Sequence, residues 1–273
     1  MSTLAPETAD KPARRFRLDL KTAGPLIALA LLIVLGISLN ENFLSYNNLT
    51  NVLARTSFIG IIAIGATFVI TSGGLDLSVG SMAAVIAGVM IIVMNALIPS
   101  LGIGWSVVLA GMAAGIAVGG FGNGFMITRG RIEAFIVTLG TMGIFRSLVT
   151  FLADGGTLSL NFQVADVYRP VYYDGLLGVP YPIIVFALVA IAGEIVMRRT
   201  AFGRYCAAIG SSEQVSRYSS INVDNVRLLT YILQGVLVGV AVLLYVPRLG
   251  SASSTTGVLW ELEAIAGVII GGT

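Results

Sequence analysis

The sequence has 273 residues, of which 56% are hydrophobic and 11% are charged, and its mean hydropathy is +0.92. This balance indicates an integral membrane protein rather than a soluble one. The net charge of +2 is too small to suggest a nucleic-acid partner. The sequence has no histidine, which excludes histidine metal ligands and histidine acid–base chemistry, and its one cysteine, Cys206, excludes an internal disulfide bond.

The N-terminus places basic residues before an apolar run, as a signal peptide does. No cleavage site of small residues follows the run, and many further apolar segments come after it. We therefore expect a retained first helix, with a cytoplasmic tail at 1–22 and a transmembrane domain at 23–273.

Apolar segments of roughly membrane-spanning length recur along the chain, since the hydrocarbon core is about 30 Å thick. There are seven: 23–39, 52–71, 78–98, 102–121, 134–152, 181–197 and 228–246. The polar, turn-rich stretch 153–180 predicts an external loop. The fold class predicted is an all-α, polytopic transmembrane helical bundle.

The basic residues predict the orientation of the bundle, because lysine and arginine accumulate in loops that stay in the cytoplasm. If the N-terminus is cytoplasmic, the external side holds only Arg169 and Arg248. The cytoplasmic side then holds twelve basic residues: Lys11, Arg14, Arg15, Arg17, Lys21, Arg129, Arg131, Arg198, Arg199, Arg204, Arg217 and Arg227.

A helix break is predicted at 71–80, where the sequence reads TSGGLDLSVG. Paired glycines interrupt a helix, and serine hydroxyls satisfy the backbone groups that are released. Asp76 in this break has two readings, which are compatible. Its carboxylate caps the next helix at the positive end of the helix dipole, or it contacts a substrate.

Arg146 lies deep in the segment 134–152 and is expected to face protein or a polar cavity, beside a carboxylate that the sequence does not identify. Asp76, Ser78 and Arg146 are therefore the candidate residues of a substrate path. Glu194 precedes Arg198 by four residues, which predicts an ion pair at the end of a helix.

A cytoplasmic loop at 198–227 contains a short helix pattern. Ser211 and Gln214 have the spacing of a capping box, and apolar residues then recur at every third position. Such a helix has little reason to lie outside the membrane unless a soluble partner docks on it. The candidate docking residues are Ser211, Glu213, Val215, Arg217, Tyr218 and Ile221.

Catalytic and metal sites are not predicted. A phosphate-binding P-loop needs a lysine after its glycines, and the only lysines, Lys11 and Lys21, lie outside such a pattern. No Ser/His/Asp or Cys/His set is present either. We expect that the chain is not an enzyme and holds no cofactor.

Small residues four positions apart predict close helix packing at Gly111, Gly115 and Gly119, at Gly80, Ala84 and Gly88, and at Gly235 and Gly239. The stretch 261–273 begins with Glu261 and Glu263, which are expected to cap a final apolar segment. Because the chain stops inside that segment, we expect that further C-terminal spans are missing. A re-entrant segment is the alternative.

Four sequence stretches, in order, resemble the permease subunits of ribose-type ABC sugar importers and cover the chain from about residue 45 to its end. They are TSGGLDLSVGS at 71–81, NG at 123–124 with RIEAFIVTLGTMGIFRSL at 131–148, FGRYCAAIGSSEQVSRYSSINV at 202–223 and ELEAIAGVIIGGT at 261–273. Family members usually continue beyond this last stretch. They also usually have Ser-Gly-Ile where this chain has Ser219, Ser220 and Ile221.

The resemblance implies a permease that moves a monosaccharide across the bacterial cytoplasmic (inner) membrane. Its partners would be membrane lipid, a second permease subunit in a homodimer, a periplasmic sugar-binding protein and cytoplasmic ABC ATPase subunits, which bind the ATP. The helix near 212–221 would be the coupling helix on which the ATPase docks. The alternative is an ion- or proton-coupled secondary transporter, which needs more mid-membrane carboxylates or histidines than Asp76 alone.

Overall fold

The structure is a computed structural model that describes residues 20–101, 113, 115, 119 and 122–273. Most of the predicted tail 1–22 and most of the predicted span 102–121 lie outside these residues. The chain divides into two compact units, 1–49 and 50–273. The first unit contains α1 (Leu20–Leu39), which corresponds to the predicted segment 23–39.

The described residues confirm the all-α class, and among them five helices are long and apolar enough to span a membrane. These five are α2 (Tyr46–Thr71), α3 (Val79–Leu101), α5 (Ala134–Leu152), α8 (Tyr181–Arg199) and α11 (Val223–Leu249). The shorter helices are α4 (Phe125–Thr128), α6 (Phe162–Tyr168), α7 (Pro170–Tyr173), α9 (Ala201–Ser211), α10 (Glu213–Tyr218) and α12 (Trp260–Ile270).

Strands are confined, in the described residues, to four two-residue segments. β1 (Leu158–Ser159) pairs antiparallel with β4 (Ser251–Ala252), and β2 (Gly175–Leu176) forms a hairpin with β3 (Val179–Pro180). The β1–β4 pair joins the predicted external loop to the segment after α11. The loop is therefore attached to the bundle at this point.

The core of the second unit is built on α3 and α11, each with 72% of its apolar span buried. On α3, the run from Met82 to Ala87 is almost completely buried. The span of α8, by contrast, is only 6% buried and exposes Leu188, Ile191 and Ile195. Since these side chains are apolar, lipid or another membrane subunit is the surrounding that suits them.

Two of the predicted small-residue runs meet each other. A Cβ atom on Gly235 would collide with the carbonyl oxygen of Gly115, and a Cβ atom on Gly115 would collide with that of Gly235. Gly80 of the third run instead lies against the backbone of Gly257, in the segment before α12. Glycine at these positions lets backbones approach to a distance that any side chain would prevent.

The stretch 153–180, which is predicted to be external, folds over the ends of α3 and α11. The Tyr168 hydroxyl donates to the carbonyl oxygen of Leu243 at 2.9 Å, and the Asn95 amide donates to that of Ser159 at 2.9 Å. The first bond satisfies the Leu243 carbonyl, whose helical partner four residues on is Pro247, a residue without an N–H group, and the second satisfies a carbonyl of β1. The stretch predicted as a loop is thus an ordered cap on the bundle.

The helix α12 begins at Trp260, whose ring lies 4.8 Å from that of Tyr245 and 6.0 Å from that of Phe58. Glu261 and Glu263 occupy its first turn, as expected, but neither side chain makes a capping hydrogen bond. The aromatic contacts, rather than caps, fix the start of this helix on α2 and α11.

The contact at Gly235 predicts a difference in stability between two glycine variants. Gly235→Ala should destabilise the folded protein by about 1–3 kcal/mol, because the added methyl group displaces a packed backbone. Gly140→Ala is the matched control, since no atom lies within 4 Å of its added Cβ. Thermal unfolding in detergent measures both. Equal melting temperatures for the two variants would contradict the close approach of Gly115 and Gly235.

Candidate functional site

The predicted break separates α2 from α3. Two backbone bonds close the end of α2: Gly73 donates to Ile70 and Gly74 to Val69, both at 2.9 Å. This is the Schellman arrangement, which needs a residue in the left-handed region after the helix, and Gly73 supplies it with a φ of 77°. The amides of the paired glycines therefore satisfy two of the carbonyl groups that the end of the helix would otherwise leave unpaired.

Asp76 and Ser78 lie together at the start of α3 and are buried. One carboxylate oxygen of Asp76, Oδ1, accepts hydrogen bonds from the Ser78 amide at 2.9 Å and from the Ser78 hydroxyl at 2.6 Å. Asp76 thus satisfies the amide just before the first residue of α3. This geometry agrees with the expected capping role and leaves the other oxygen, Oδ2, for a second role.

Asn123, which follows the undescribed residues before α4, completes this cluster. Its side-chain amide donates to the Ser78 hydroxyl at 2.7 Å, and the residue is fully buried. The Asn-Gly pair at 123–124 was part of the family pattern, but no role was predicted for Asn123. Its contact with Ser78 joins residues 45 positions apart, which a local pattern does not reveal.

Two acceptor atoms of the cluster have no donor among the described residues. They are Oδ2 of Asp76 and Oδ1 of Asn123, and both are buried. An unsatisfied buried acceptor costs roughly 1–3 kcal/mol, so such atoms in a folded protein call for an explanation. A ligand that brings hydroxyl hydrogens would satisfy both.

Arg146 lies elsewhere and does not join Asp76 in any described bond. Its guanidinium donates to the carbonyl oxygens of Ser254, at 2.6 Å, and of Thr256. Two backbone carbonyls between α11 and α12 thus hold the guanidinium, and the carboxylate that interacts with its charge is that of Glu261, in the first turn of α12. These bonds fix that segment against α5, while a role for Arg146 in the substrate path stays a prediction.

The predicted cytoplasmic helix forms as α10, but its cap differs from the expected one by a residue. Ser212, not Ser211, accepts the hydrogen bond from the Val215 amide, at 3.3 Å. The Ser211 hydroxyl donates to the carbonyl of Ala207 at the end of α9. Ser211 is the last residue of α9, and its hydroxyl therefore bonds within that helix. Ser212, the next residue, is the N-cap of α10.

The apolar face of α10 is shorter than predicted. Val215 and Tyr218 are 60% and 80% exposed. Ile221 follows the end of the helix and packs, partly buried, against the apolar cluster that contains Phe68 and Cys206. The exposed apolar side chains of α10 are therefore Val215 and Tyr218, and the docking roles of all six candidate residues, Ile221 included, stay a prediction.

Charged side chains surround the same helix. Arg217 Nη2 lies 2.9 Å from Glu213 Oε1 and 2.8 Å from Asp224 Oδ1, and Arg227 Nη2 lies 2.8 Å from Glu213 Oε2. Burial alone would raise the pKa of Glu213, but the hydrogen bonds and charges of Arg217 and Arg227 outweigh it and hold that pKa below its usual value. Glu213 therefore stays ionised at neutral pH.

A cavity of about 640 Å³ lies between this ion-pair network and the break. Gly73 and Gly74 line it on one side, and Glu213, Arg227 and Tyr231 line it on another. The Tyr231 hydroxyl donates to the carbonyl oxygen of Leu75 at 3.3 Å. The cavity thus extends to the residues that immediately precede Asp76.

Comparison with known proteins identifies the family to which the chain belongs. Residues 48–273 match a protein family described as the permease component of branched-chain amino acid transport systems. The chain is 38% identical over 253 residues to the ribose import permease protein RbsC of Escherichia coli K12, an alignment that covers 91% of this chain and 76% of that protein. The chain belongs to this permease family.

Two further relatives support the assignment. The permease is 36% identical over 257 residues to RbsC of Bacillus subtilis, covering 92% of this chain and 76% of that protein. It is 30% identical over 292 residues to the xylose transport system permease protein XylH of E. coli K12, covering 85% and 72%. No solved structure matches it. The chain is accordingly a transmembrane permease subunit of an ABC importer in the inner membrane.

The two oxygens of Asp76 have different surroundings, which predicts how substitutions act. Asp76→Asn keeps one acceptor for Ser78 but replaces the unpaired oxygen by a donor. Uptake should fall by roughly tenfold while assembly is retained, since a hydrogen bond to a charged group contributes about 1.5–3 kcal/mol. Asp76→Leu should lose folding yield as well. Uptake and detergent-extracted yield measure these effects.

Glu194→Gln is the matched control, because it also replaces a carboxylate by an amide. Glu194 forms an exposed ion pair, in which its Oε1 atom lies 2.6 Å from Nε of Arg198. Its uptake should equal that of the unmodified permease. Full activity of Asp76→Leu would show that the break does not contribute to transport.

Proposed function

We propose that the permease forms the path by which an ATP-driven importer moves a monosaccharide across the cytoplasmic membrane of a bacterium. The observation that carries the substrate class is the pair of buried, unpaired acceptors on Asp76 and Asn123. A neutral sugar offers several hydroxyl hydrogens to such atoms. The similarity to a ribose import permease and to a xylose transport permease supports the same class.

The site fits a neutral polyhydroxy ligand better than an amino acid. An amino acid in its usual ionic form needs a cation or free backbone N–H groups for its carboxylate, and the Asp76 carboxylate already occupies the amide at the start of α3. Arg146 is the cationic candidate of the sequence-predicted path, and two carbonyl oxygens already hold its guanidinium. The Asp76 cluster itself contains only a carboxylate, a hydroxyl and an amide. A sugar needs no more than these groups.

The energy for transport is proposed to come from a separate ATPase, since the sequence has no P-loop lysine pattern. The docking surface is α10, on which Val215 and Tyr218 are exposed and surrounded by charged side chains. An apolar anchor inside a polar rim is the usual anatomy of a protein interface. ATP would bind to the partner, and this chain would hold no cofactor.

The remaining partners follow from the faces of the molecule. A periplasmic sugar-binding protein would dock on the face formed by 153–180. Exposed apolar side chains on α8 would contact lipid or a second copy of the permease in a homodimer. These assignments rest on the resemblance and on the exposed surfaces.

A secondary transporter driven by ions or protons is the competing function, and reconstitution separates the two. In proteoliposomes, uptake of radiolabelled ribose or xylose should require the ATPase, the binding protein and ATP. Uptake by the permease alone, driven by an ion gradient, would overturn the proposal. The exposed surface of α10 favours the ATP-driven reading, because a self-sufficient transporter has no need of it.

The proposed orientation places the N-terminus and the loop 198–227 in the cytoplasm. We predict that Ser211→Cys is labelled by a membrane-impermeant maleimide only after the membrane is opened, and that Asp166→Cys is labelled from outside. Both positions are exposed, whereas the native Cys206 is buried and is replaced by alanine as a precaution. External labelling of Ser211→Cys would reverse the orientation.

The docking role of α10 predicts a graded effect of two substitutions. Tyr218→Ala should reduce co-purification of the ATPase and sugar-stimulated ATP hydrolysis, because large buried anchors dominate interface energy. Arg217→Ala removes a rim charge, and its smaller effect should shrink further in high salt. Leu53→Ala is a control in α2, outside both α10 and 153–180, where the side chain is 53% exposed. Unchanged ATPase binding in a Val215→Ala, Tyr218→Ala variant would sink the assignment.

A further inference from the structure

Arg227 connects the proposed docking helix to the break beside Asp76. Its Nη2 atom lies 2.8 Å from Oε2 of Glu213 in α10. Its Nε atom donates to the carbonyl oxygen of Ser72, at the end of α2, at 3.4 Å. One side chain on α11 therefore holds two segments that are far apart in the sequence.

The Ser72 carbonyl is a suitable acceptor for a cation. It belongs to the turn that ends α2, where the carbonyl groups form the negative end of the helix dipole. Arg227 is 23% exposed, against 48% for Arg217 and 75% for Arg198. Of these three arginines, Arg227 is the least exposed to water, so solvent and salt screen its ion pair least.

A second contact one helical turn along α11 continues the link. Tyr231 follows Arg227 by four residues and so lies on the same face of α11. Its hydroxyl donates to the carbonyl of Leu75, the residue before Asp76. Arg227 and Tyr231 together hold the break at two points, Ser72 and Leu75, and the second point adjoins Asp76.

We propose that Arg227 is a positioning residue that transmits movement of α10 to the break, through a clamp formed by Glu213, Arg227 and the Ser72 carbonyl. The inference rests on the proposed function, in which α10 binds the ATPase. An arginine suits the role because its planar guanidinium presents separate N–H groups to two acceptors at once. A lysine in its place keeps the charge but lacks this fork.

The segment 198–227 also packs against the break through an uncharged contact. A Cβ atom on Gly210, in α9, would collide with the carbonyl oxygen of Thr71. This contact packs α9 against the same turn and keeps the two segments together when the clamp is altered. Substitution of Arg227 is therefore expected to leave the loop folded.

The test compares Arg227→Lys and Arg227→Gln with the unmodified permease in proteoliposomes that contain the ATPase and the binding protein. Co-purification of the ATPase should be retained, because Val215 and Tyr218 are untouched. The amount of sugar taken up per ATP hydrolysed should fall at least about fivefold, the lower range of coupling between linked sites. Arg198→Gln, which breaks the exposed pair with Glu194, should leave this ratio unchanged.

A double-mutant cycle with Glu213→Gln tests whether Arg227 acts through its ion pair with Glu213, with the uptake-to-hydrolysis ratio as the measured quantity. If the clamp transmits movement, Glu213→Gln combined with Arg227→Gln should lower the ratio little more than either change alone. Equal falls in uptake and hydrolysis, with an unchanged ratio, would assign Arg227 a structural role only and overturn the proposal. So would additive effects of the two changes.

The outcomes also separate this inference from the function on which it rests. If the unmodified permease transports sugar without the ATPase, the proposed function fails. If it transports only with the ATPase, and Arg227→Lys transports with the normal ratio, the clamp fails and the function stands.

Discussion

Backbone groups inside a membrane must find their hydrogen-bond partners within the protein, because lipid offers none. The break between α2 and α3 interrupts the helical pairing, since α2 ends there and α3 begins. The glycines at 73 and 74 close the first helix, and Asp76 satisfies the amide before the second. Arg227 and Tyr231 then bind carbonyl oxygens of the connecting segment. The residues that satisfy these backbone groups are thus neighbours of Asp76, the candidate residue of the proposed path.

The same constraint explains why unpaired side-chain acceptors are informative here. Once the backbone is satisfied, Asp76 and Asn123 each keep one buried oxygen without a donor among the described residues. A core optimised for stability alone would pair or remove such atoms. The cavity of about 640 Å³ reaches Gly73 and Gly74 of the same segment, but neither acceptor lines it. A ligand therefore reaches these two oxygens only when the segment around them opens, as an alternating transport path requires.

The sequence predicted the features that depend on local pattern and missed those that depend on tertiary contact. Apolar length located the described spans, and the paired glycines located the break. Asn123 and Arg227 escaped notice because their partners lie 45 and 155 residues away. The three-residue periodicity also extended the docking helix too far, to Ile221, whereas α10 ends at Tyr218. Adjacent serines concealed which of Ser211 and Ser212 is the cap.

The end of α10 gives a physical reason for one departure from the family pattern. Ser220 donates to the carbonyl of Arg217 and Ile221 to that of Ser216, which is again the Schellman arrangement. Ser220 has a φ of 61°, in the left-handed region, where a residue with a Cβ atom is strained by about 1–2 kcal/mol. The glycine that the family usually has at this position avoids that strain. Here the turn holds without it, because Ile221 packs on the cluster around Phe68 and the ion pairs of Glu213 join α10 to α11. The helix α10 therefore owes its position to tertiary contacts, as the proposed transmission of movement to its neighbours requires.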